Sequence, residues 1–107
     1  MKEPGQIVIF ITTADEQEAQ KIANLLLEKR LIACANIVSK VSSMFWRQGN
    51  LESEDECMLI LKTKASMLDK IVDEVKSAHS YDVPEIIALP IIGGNEDYLK
   101  WIGDETK

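Results

Sequence analysis

The sequence predicts an α+β fold: a ferredoxin-like β-α-β-β-α-β sandwich with one added C-terminal helix, formed by a single domain over residues 1–107. Three observations predict it. A β-branched run, Ile7 to Ile11, is followed at once by apolar residues at helical spacing. Two extended runs then meet back to back around Arg47-Gln48-Gly49-Asn50, and a second helical pattern is followed by one more β-rich run.

Gln6–Thr12 is too apolar to alternate, which suits a strand covered on both faces or lying centrally in the sheet. Thr13-Ala14-Asp15-Glu16 reads as a capping box, with the Thr13 hydroxyl accepting an orphan N–H and Glu16 reaching back. Ala19, Ile22, Ala23 and Leu26 then recur at helical spacing, and Lys29-Arg30 place cations at the negative end, so the first helix covers about residues 14–29. From Ala33 to Trp46 the residues favour a long strand, with Ile37, Val41 and Phe45 on one face and Val38, Met44 and Trp46 on the other. Gly49 permits a turn, and Leu51–Thr63 returns as the partner strand. Arms of about 13 residues exceed the usual strand length of about five or six, so this central hairpin must overhang a small sheet.

Met67, Leu68, Ile71, Val72 and Val75 mark a second helix, capped by Ser66 and ending near Ala78. Glu85–Ile91 reads as a strand whose Pro90 cannot donate to a ladder, which points to an edge or a strand end. Gly93-Gly94 breaks it. Asn95 caps a last helix that carries Tyr98, Trp101 and Ile102 on one face.

The charge balance narrows the function. Eighteen acidic against 12 basic residues give a formal charge of −6, with no basic run to track a phosphate backbone, so nucleic acid is not an expected partner. The longest apolar run is five residues, far short of the roughly 20 that span a bilayer, and no charged-then-apolar leader precedes it, so we expect a soluble, cytoplasmic protein without a membrane segment. Cys34 and Cys57 form no C-x-x-C pair and are expected to be reduced thiols that pack as small hydrophobes. A chain this short buries only about two-thirds of the surface its unfolded form exposes, so association with further copies would help it.

Few residues suggest chemistry. His79 stands six positions before Glu85, with Tyr81 between them; an imidazole and a carboxylate suit a borderline divalent ion such as copper or zinc. The competing reading is structural: His79 closes the helix, Tyr81 packs and Pro84 sets the strand entry. Glu52, Glu54 and Glu56 share a strand face but lack an EF-hand order, and read as a solvated face. Met44 and Met58 read as packing. Trp46, Tyr98 and Trp101 can line a ligand pocket or anchor a subunit interface, and the interface is the preferred reading. No phosphate-cradling glycine motif and no activated nucleophile is present, so no enzymatic activity is expected.

Five ordered blocks carry a resemblance over nearly the whole chain. They are Leu31-Ile32-Ala33-Cys34-Ala35-Asn36-Ile37, Lys62-Thr63, His79-x-Tyr81-x-Val83-Pro84-Glu85-Ile86, Ala88-Leu89-Pro90 and Gly94-Asn95-x-x-Tyr98-Leu99-x-Trp101. Together they resemble the CutA divalent-cation tolerance proteins. The resemblance implies a ferredoxin-like subunit that forms a homotrimer through its long hairpins, similar in shape to PII signalling proteins, with a role in tolerance of divalent metals, copper (Cu2+) above all. In some relatives copper is bound by a strand-one cysteine with the histidine and glutamate of an H-P-Y-x-x-P-E segment. Residue by residue, these positions fall on Ile11, His79 and Glu85; Ser80 stands where the family has proline, and the aromatic before the hairpin turn is displaced, with Trp46 followed by Arg47. The leading expectation is therefore a trimeric, metal-responsive binding or signalling module. The alternative is a PII-like sensor of a small anionic metabolite, held at inter-subunit clefts near Tyr81, Tyr98 and Trp101.

Overall fold

The structure, a computed structural model, describes residues 5–107. The elements follow as β1 (Gln6–Thr13), α1 (Glu16–Glu28), β2 (Cys34–Arg47), β3 (Asn50–Lys64), a 3-10 turn (Ala65–Met67), α2 (Leu68–Ala78), β4 (Ile86–Pro90) and α3 (Glu96–Glu105). One sheet holds the four strands in the order β2-β3-β1-β4, with every neighbouring pair antiparallel.

Alternation along β1 sends Ile7, Ile9, Ile11 and Thr13 to one face, where they meet Leu59 and Leu61 of β3, Ala19, Ile22, Ala23 and Leu26 of α1, and Ile71 and Val75 of α2. This is the core. Leu31 and Ile32 join it because the chain reverses sharply after α1. Arg30 adopts a left-handed conformation (φ 59°) while its N–H and that of Leu31 bond to the carbonyls of Leu27 and Leu26, a Schellman closure without glycine. The Arg30 guanidinium, expected to neutralise the helix end, instead pairs with Glu105 at 2.8 Å.

The cap of α1 lies two residues beyond the expected Thr13. Asp15 accepts the Glu18 N–H at 2.8 Å, and Glu18 reaches back to the Ala14 N–H at 3.0 Å. Asp15 and Glu18 form the reciprocal pair assigned above to Thr13 and Glu16; a carboxylate at the cap is the stronger acceptor.

A bulge corrects the reading of β2. Val38 lies opposite Met58 and Val41 opposite Glu56, so Ser39 and Lys40 together face Cys57. One inserted residue inverts the alternation beyond it. Ile37 therefore shares the helix-side face with Met44 and Trp46, while Val38, Val41 and Phe45 share the other. The Cys57 thiol donates to the Ser39 carbonyl at 2.9 Å and so ties the bulge down.

β1 pairs with β3 only as far as Cys57, so residues 41–47 and 50–56 pair with each other alone and extend beyond the sheet for roughly 20 Å. The molecule is elongated accordingly, 44 × 30 × 22 Å. Gln48 (φ 50°) and Gly49 (φ 82°) close the hairpin as a two-residue turn with both residues left-handed, the form that matches strand twist.

The second face of the sheet carries Val8, Phe10, Val38, Met58, Ile60, Ile87 and Leu89, and neither α1 nor α2 covers it. Val38, Ile87 and Leu89 remain between 42% and 51% exposed. α3 closes one end of this face: the Gln6 amide donates to the Leu99 carbonyl at 3.0 Å, and Ile102 is fully buried outside the main core. No helix among the described residues is long and apolar enough to cross a membrane.

Candidate functional site

Where the overhanging hairpin leaves the sheet, a groove of about 830 Å³ opens between it and the segment following α2. Thr12, Phe45, Glu54, Glu56, Tyr81 and Glu85 line it. Its anchor is a hydrogen bond of 2.7 Å from the Tyr81 hydroxyl to Glu56 Oε2. Burial, then the bond to Glu56 and the charges of Glu56, Glu54 and Glu18, push the Tyr81 phenol well above its ordinary range, so it stays a donor. Glu56 is only 8% exposed, which corrects its assignment to a solvated face. It shares the second face of β3, away from α1 and α2, with Met58 and Ile60, and that apolar parity was the signal available in the sequence.

His79 lies beneath the groove. It ends α2 with its N–H on the Val75 carbonyl, and its side chain is completely buried. The Tyr81 N–H donates to Nδ1 at 3.0 Å, so Nδ1 is the unprotonated nitrogen, and Nε2–H donates to the Thr12 carbonyl at 2.8 Å. The imidazole thus fastens the segment after α2 to the end of β1, with the Tyr81 ring 4.7 Å away. Glu18 makes a second fastening: Oε2 accepts the Ser80 N–H at 2.7 Å and lies 3.9 Å from His79 Nδ1. A proline at residue 80 has no such N–H to give.

Burial alone raises the Glu18 carboxyl, but the bonds from Ala14 and Ser80 outweigh it, and the net direction is downward. A depressed carboxylate contributes stability that is full above its unfolded value, 4.5, and is lost as pH falls through the lower folded value. Glu18→Gln is expected to flatten the acid limb of the stability curve below about pH 4.5, read as urea midpoints across pH. An unchanged acid limb in the variant would contradict the assignment.

The structure separates the predicted site residues. Glu85 and Tyr81 share the groove, with Glu85 exposed and without a side-chain hydrogen bond among the described residues; His79 is below them. Ile11, at the position of the relatives' cysteine, is fully buried on the core face between Leu59 and Ile86. Among the described residues no three His, Cys, Asp or Glu side chains converge as a metal cluster. A resident metal does not fit this arrangement, because both ring nitrogens of His79 are already engaged.

Tyr98 and Trp101 belong elsewhere. Their rings lie 5.4 Å apart on α3, where burial and contact with the Cys34 thiol raise the Tyr98 hydroxyl. Cys34 is paired with Lys62, six residues along β3 from Glu56, which places this aromatic pair roughly 20 Å from Tyr81 within one chain. Lys62, which no function was expected to need, bonds through its ammonium to Asn36 Oδ1 and lies 3.9 Å from Cys34 Sγ. Both cysteines are free; burial first, then Glu16 and Asp15, raise the Cys57 thiol, as suits an inert side chain.

This architecture and these residues match known proteins. The family model described as CutA1 divalent ion tolerance protein matches residues 7–105. The divalent-cation tolerance protein CutA of Thermus thermophilus is 42% identical over 99 residues, covering 92% of this chain and 96% of that protein. The chloroplastic protein CutA 1 of Oryza sativa is 41% identical over 101 residues, which cover 94% of this chain but only 57% of the rice protein. The crystal structure of CutA1 from Oryza sativa superposes with a TM-score of 0.94 at 39% identity, covering 97% of this chain and 95% of that one. The matched span includes all of the strands and helices but the first residue of β1, with the whole segment from His79 to Glu85, and the chain belongs to the CutA1 divalent ion tolerance family.

Proposed function

We propose that this chain is one subunit of a homotrimer that works as a metal-responsive binding or signalling module, without enzymatic activity, in a reducing compartment such as the cytoplasm. The observation that carries this reading is the second face of the sheet. Val8, Phe10, Val38, Met58, Ile60, Ile87 and Leu89 form a contiguous apolar surface beside a hairpin that overhangs its own sheet. Monomeric proteins rarely leave such a patch bare. The two sheet edges are β2 and β4; a contact joining one to the other between copies is head-to-tail, the kind that generates a ring where the rotation closes. Three copies agree with the assembly that the family resemblance implies.

The cation enters as a transient ligand. Glu85, with Glu54 and Glu56 in the same groove, supplies oxygen donors, and His79 joins them only in a state where Nδ1 is released from the Tyr81 N–H. Copper binding is therefore weak, and it depends on Glu85 and His79. Calorimetric titration with Cu(II) is expected to give weaker binding for Glu85→Gln and for His79→Ala than for the unmodified protein. Equal binding by His79→Ala would remove His79 from the site.

A second reading, binding of a small anionic metabolite, is favoured by Lys62. This ammonium is bonded to the Asn36 side chain, and no carboxylate pairs with it among the described residues. Within one chain Tyr81 lies at the opposite end of the sheet from Tyr98 and Trp101, so a cleft lined by all three would take Tyr81 from a neighbouring copy.

A further inference from the structure

β3 carries its charges in blocks. On its second face, away from α1 and α2, Glu52, Glu54 and Glu56 come first. The apolar Met58 and Ile60 follow, and Lys62 and Lys64 end the strand. At the acidic end Glu52 and Glu54 share the Arg47 guanidinium, at 2.8 and 3.3 Å, so three carboxylates meet one cation. Glu56 is the buried one of the three, and its donor is the neutral Tyr81 hydroxyl. At the basic end the residues across the strands are neutral: Cys34 faces Lys62 and Gln6 faces Lys64. Lys62 Nζ is bonded to Asn36 Oδ1, and neither lysine pairs with a carboxylate among the described residues. In the last turns of α3 the acids are taken, Asp104 by Lys100 and Glu105 by Arg30. Glu56 and Lys62 stand six residues apart on one strand, roughly 20 Å, so the two charged ends of a chain do not meet each other.

We propose that the basic end of one copy docks on the acidic end of the next, with Lys62 and Lys64 entering the groove at Glu54 and Glu56. The proposal rests on the homotrimer reading above and assigns its orientation. Each copy gives its lysines to one neighbour and takes those of the other, as a head-to-tail ring requires. The charges match in number: three carboxylates and one guanidinium leave two negative charges, against two ammoniums. Copies laid side by side in the same direction would bring lysine to lysine and glutamate to glutamate, which like-charge repulsion disfavours. Burial makes the match matter. Once a further copy covers this face, Glu56 and Lys62 both lose water, and a charge left unpaired there is costly. An ammonium set against the carboxylates offsets that cost, and it fixes the orientation of the copies more than it adds affinity. The groove is then incomplete in a single chain, because its cationic wall belongs to the neighbour.

A carbodiimide joins an ammonium to a carboxylate without a spacer and so reads such contacts directly. In the unmodified assembly, peptide mass spectrometry is expected to find Lys62 or Lys64 linked to Glu54 or Glu56. Because these ends lie roughly 20 Å or more apart within a chain, each such link joins two copies. This arm needs no variant, so it stands whether or not a substituted chain folds. Lys62→Glu is expected to weaken association by about tenfold or more with a native circular dichroism spectrum. Adding Glu54→Lys to it is expected to restore most of that loss. A trimer whose links join neither lysine to Glu54 or Glu56 would overturn the head-to-tail docking while leaving the trimer standing. So would a Lys62→Glu chain that assembles as well as the unmodified one, or a double variant no better than Lys62→Glu. A monomer mass for the unmodified protein would remove the trimer reading itself, and the docking with it.

Discussion

Phe10→Lys is expected to leave the subunit folded and to break the assembly into single chains. Phe10 stands in the middle of the uncovered face, between Ile60 of β3 and Ile87 of β4. In an isolated subunit this face meets water, so a lysine there keeps its ammonium solvated and costs the fold little. In a trimer each copy would have to bury an unpaired ammonium against apolar partners, a penalty of several kcal/mol per ion. Association should weaken by a factor of about a thousand or more. Sedimentation velocity together with far-ultraviolet circular dichroism separates the outcomes: native spectrum with monomer mass is expected, and an unchanged assembly mass would show that the open face is not the interface.

Leu61→Ala is expected to cost about 2–5 kcal/mol, the largest loss from a single side chain of the sheet. Leu61 is fully buried, with Ile9 of β1 on one side and Ala35 of β2 on the other, under the two helices of the core. Ala35 is already small, so the cavity has little chance to collapse from that side. Set against a total stability of roughly 5–15 kcal/mol, such a loss moves the urea midpoint far down. Leu51→Ala provides the control: at 61% exposure on the hairpin tip it should change the isolated subunit by less than about 0.5 kcal/mol. Both are to be compared at one protein concentration, since association adds to apparent stability. A loss below about 1 kcal/mol at Leu61 would contradict the placement of the core.

How much of this was legible in the sequence depends on how local each signal is. The order of strands and helices was readable because Ile7–Ile11 and the spacing of Ile71 and Val75 are each decided within a few residues. The cap of α1 was not, because Thr13 and Asp15 both offer an oxygen at the right distance from a glutamate, and only geometry chooses between them. The bulge at Ser39-Lys40 left no mark in the composition of β2, yet it moved every side chain of the overhang to the opposite face.

The site followed the same rule. That His79 closes α2 was within reach of its position after Ala78, whereas its bonds to Thr12 and to the Tyr81 N–H depend on β1 and on the path of the following segment. The burial of Glu56 needed the register of β3 as well as the reach of Tyr81. The separation of Tyr98 and Trp101 from Tyr81 became visible only once α3 was placed beside Cys34. Lys62 escaped notice because a lysine on a half-polar strand is ordinary until its neighbours prove to be apolar or neutral.

In the proposed homotrimer, two further copies complete the bare sheet face and the overhanging hairpin of each chain. Sedimentation equilibrium at micromolar concentration tests it most directly. A homotrimer of 12.0 kDa chains gives a single species of about 36 kDa, independent of loading. A mass of 12.0 kDa across the same concentrations would rule the trimer out.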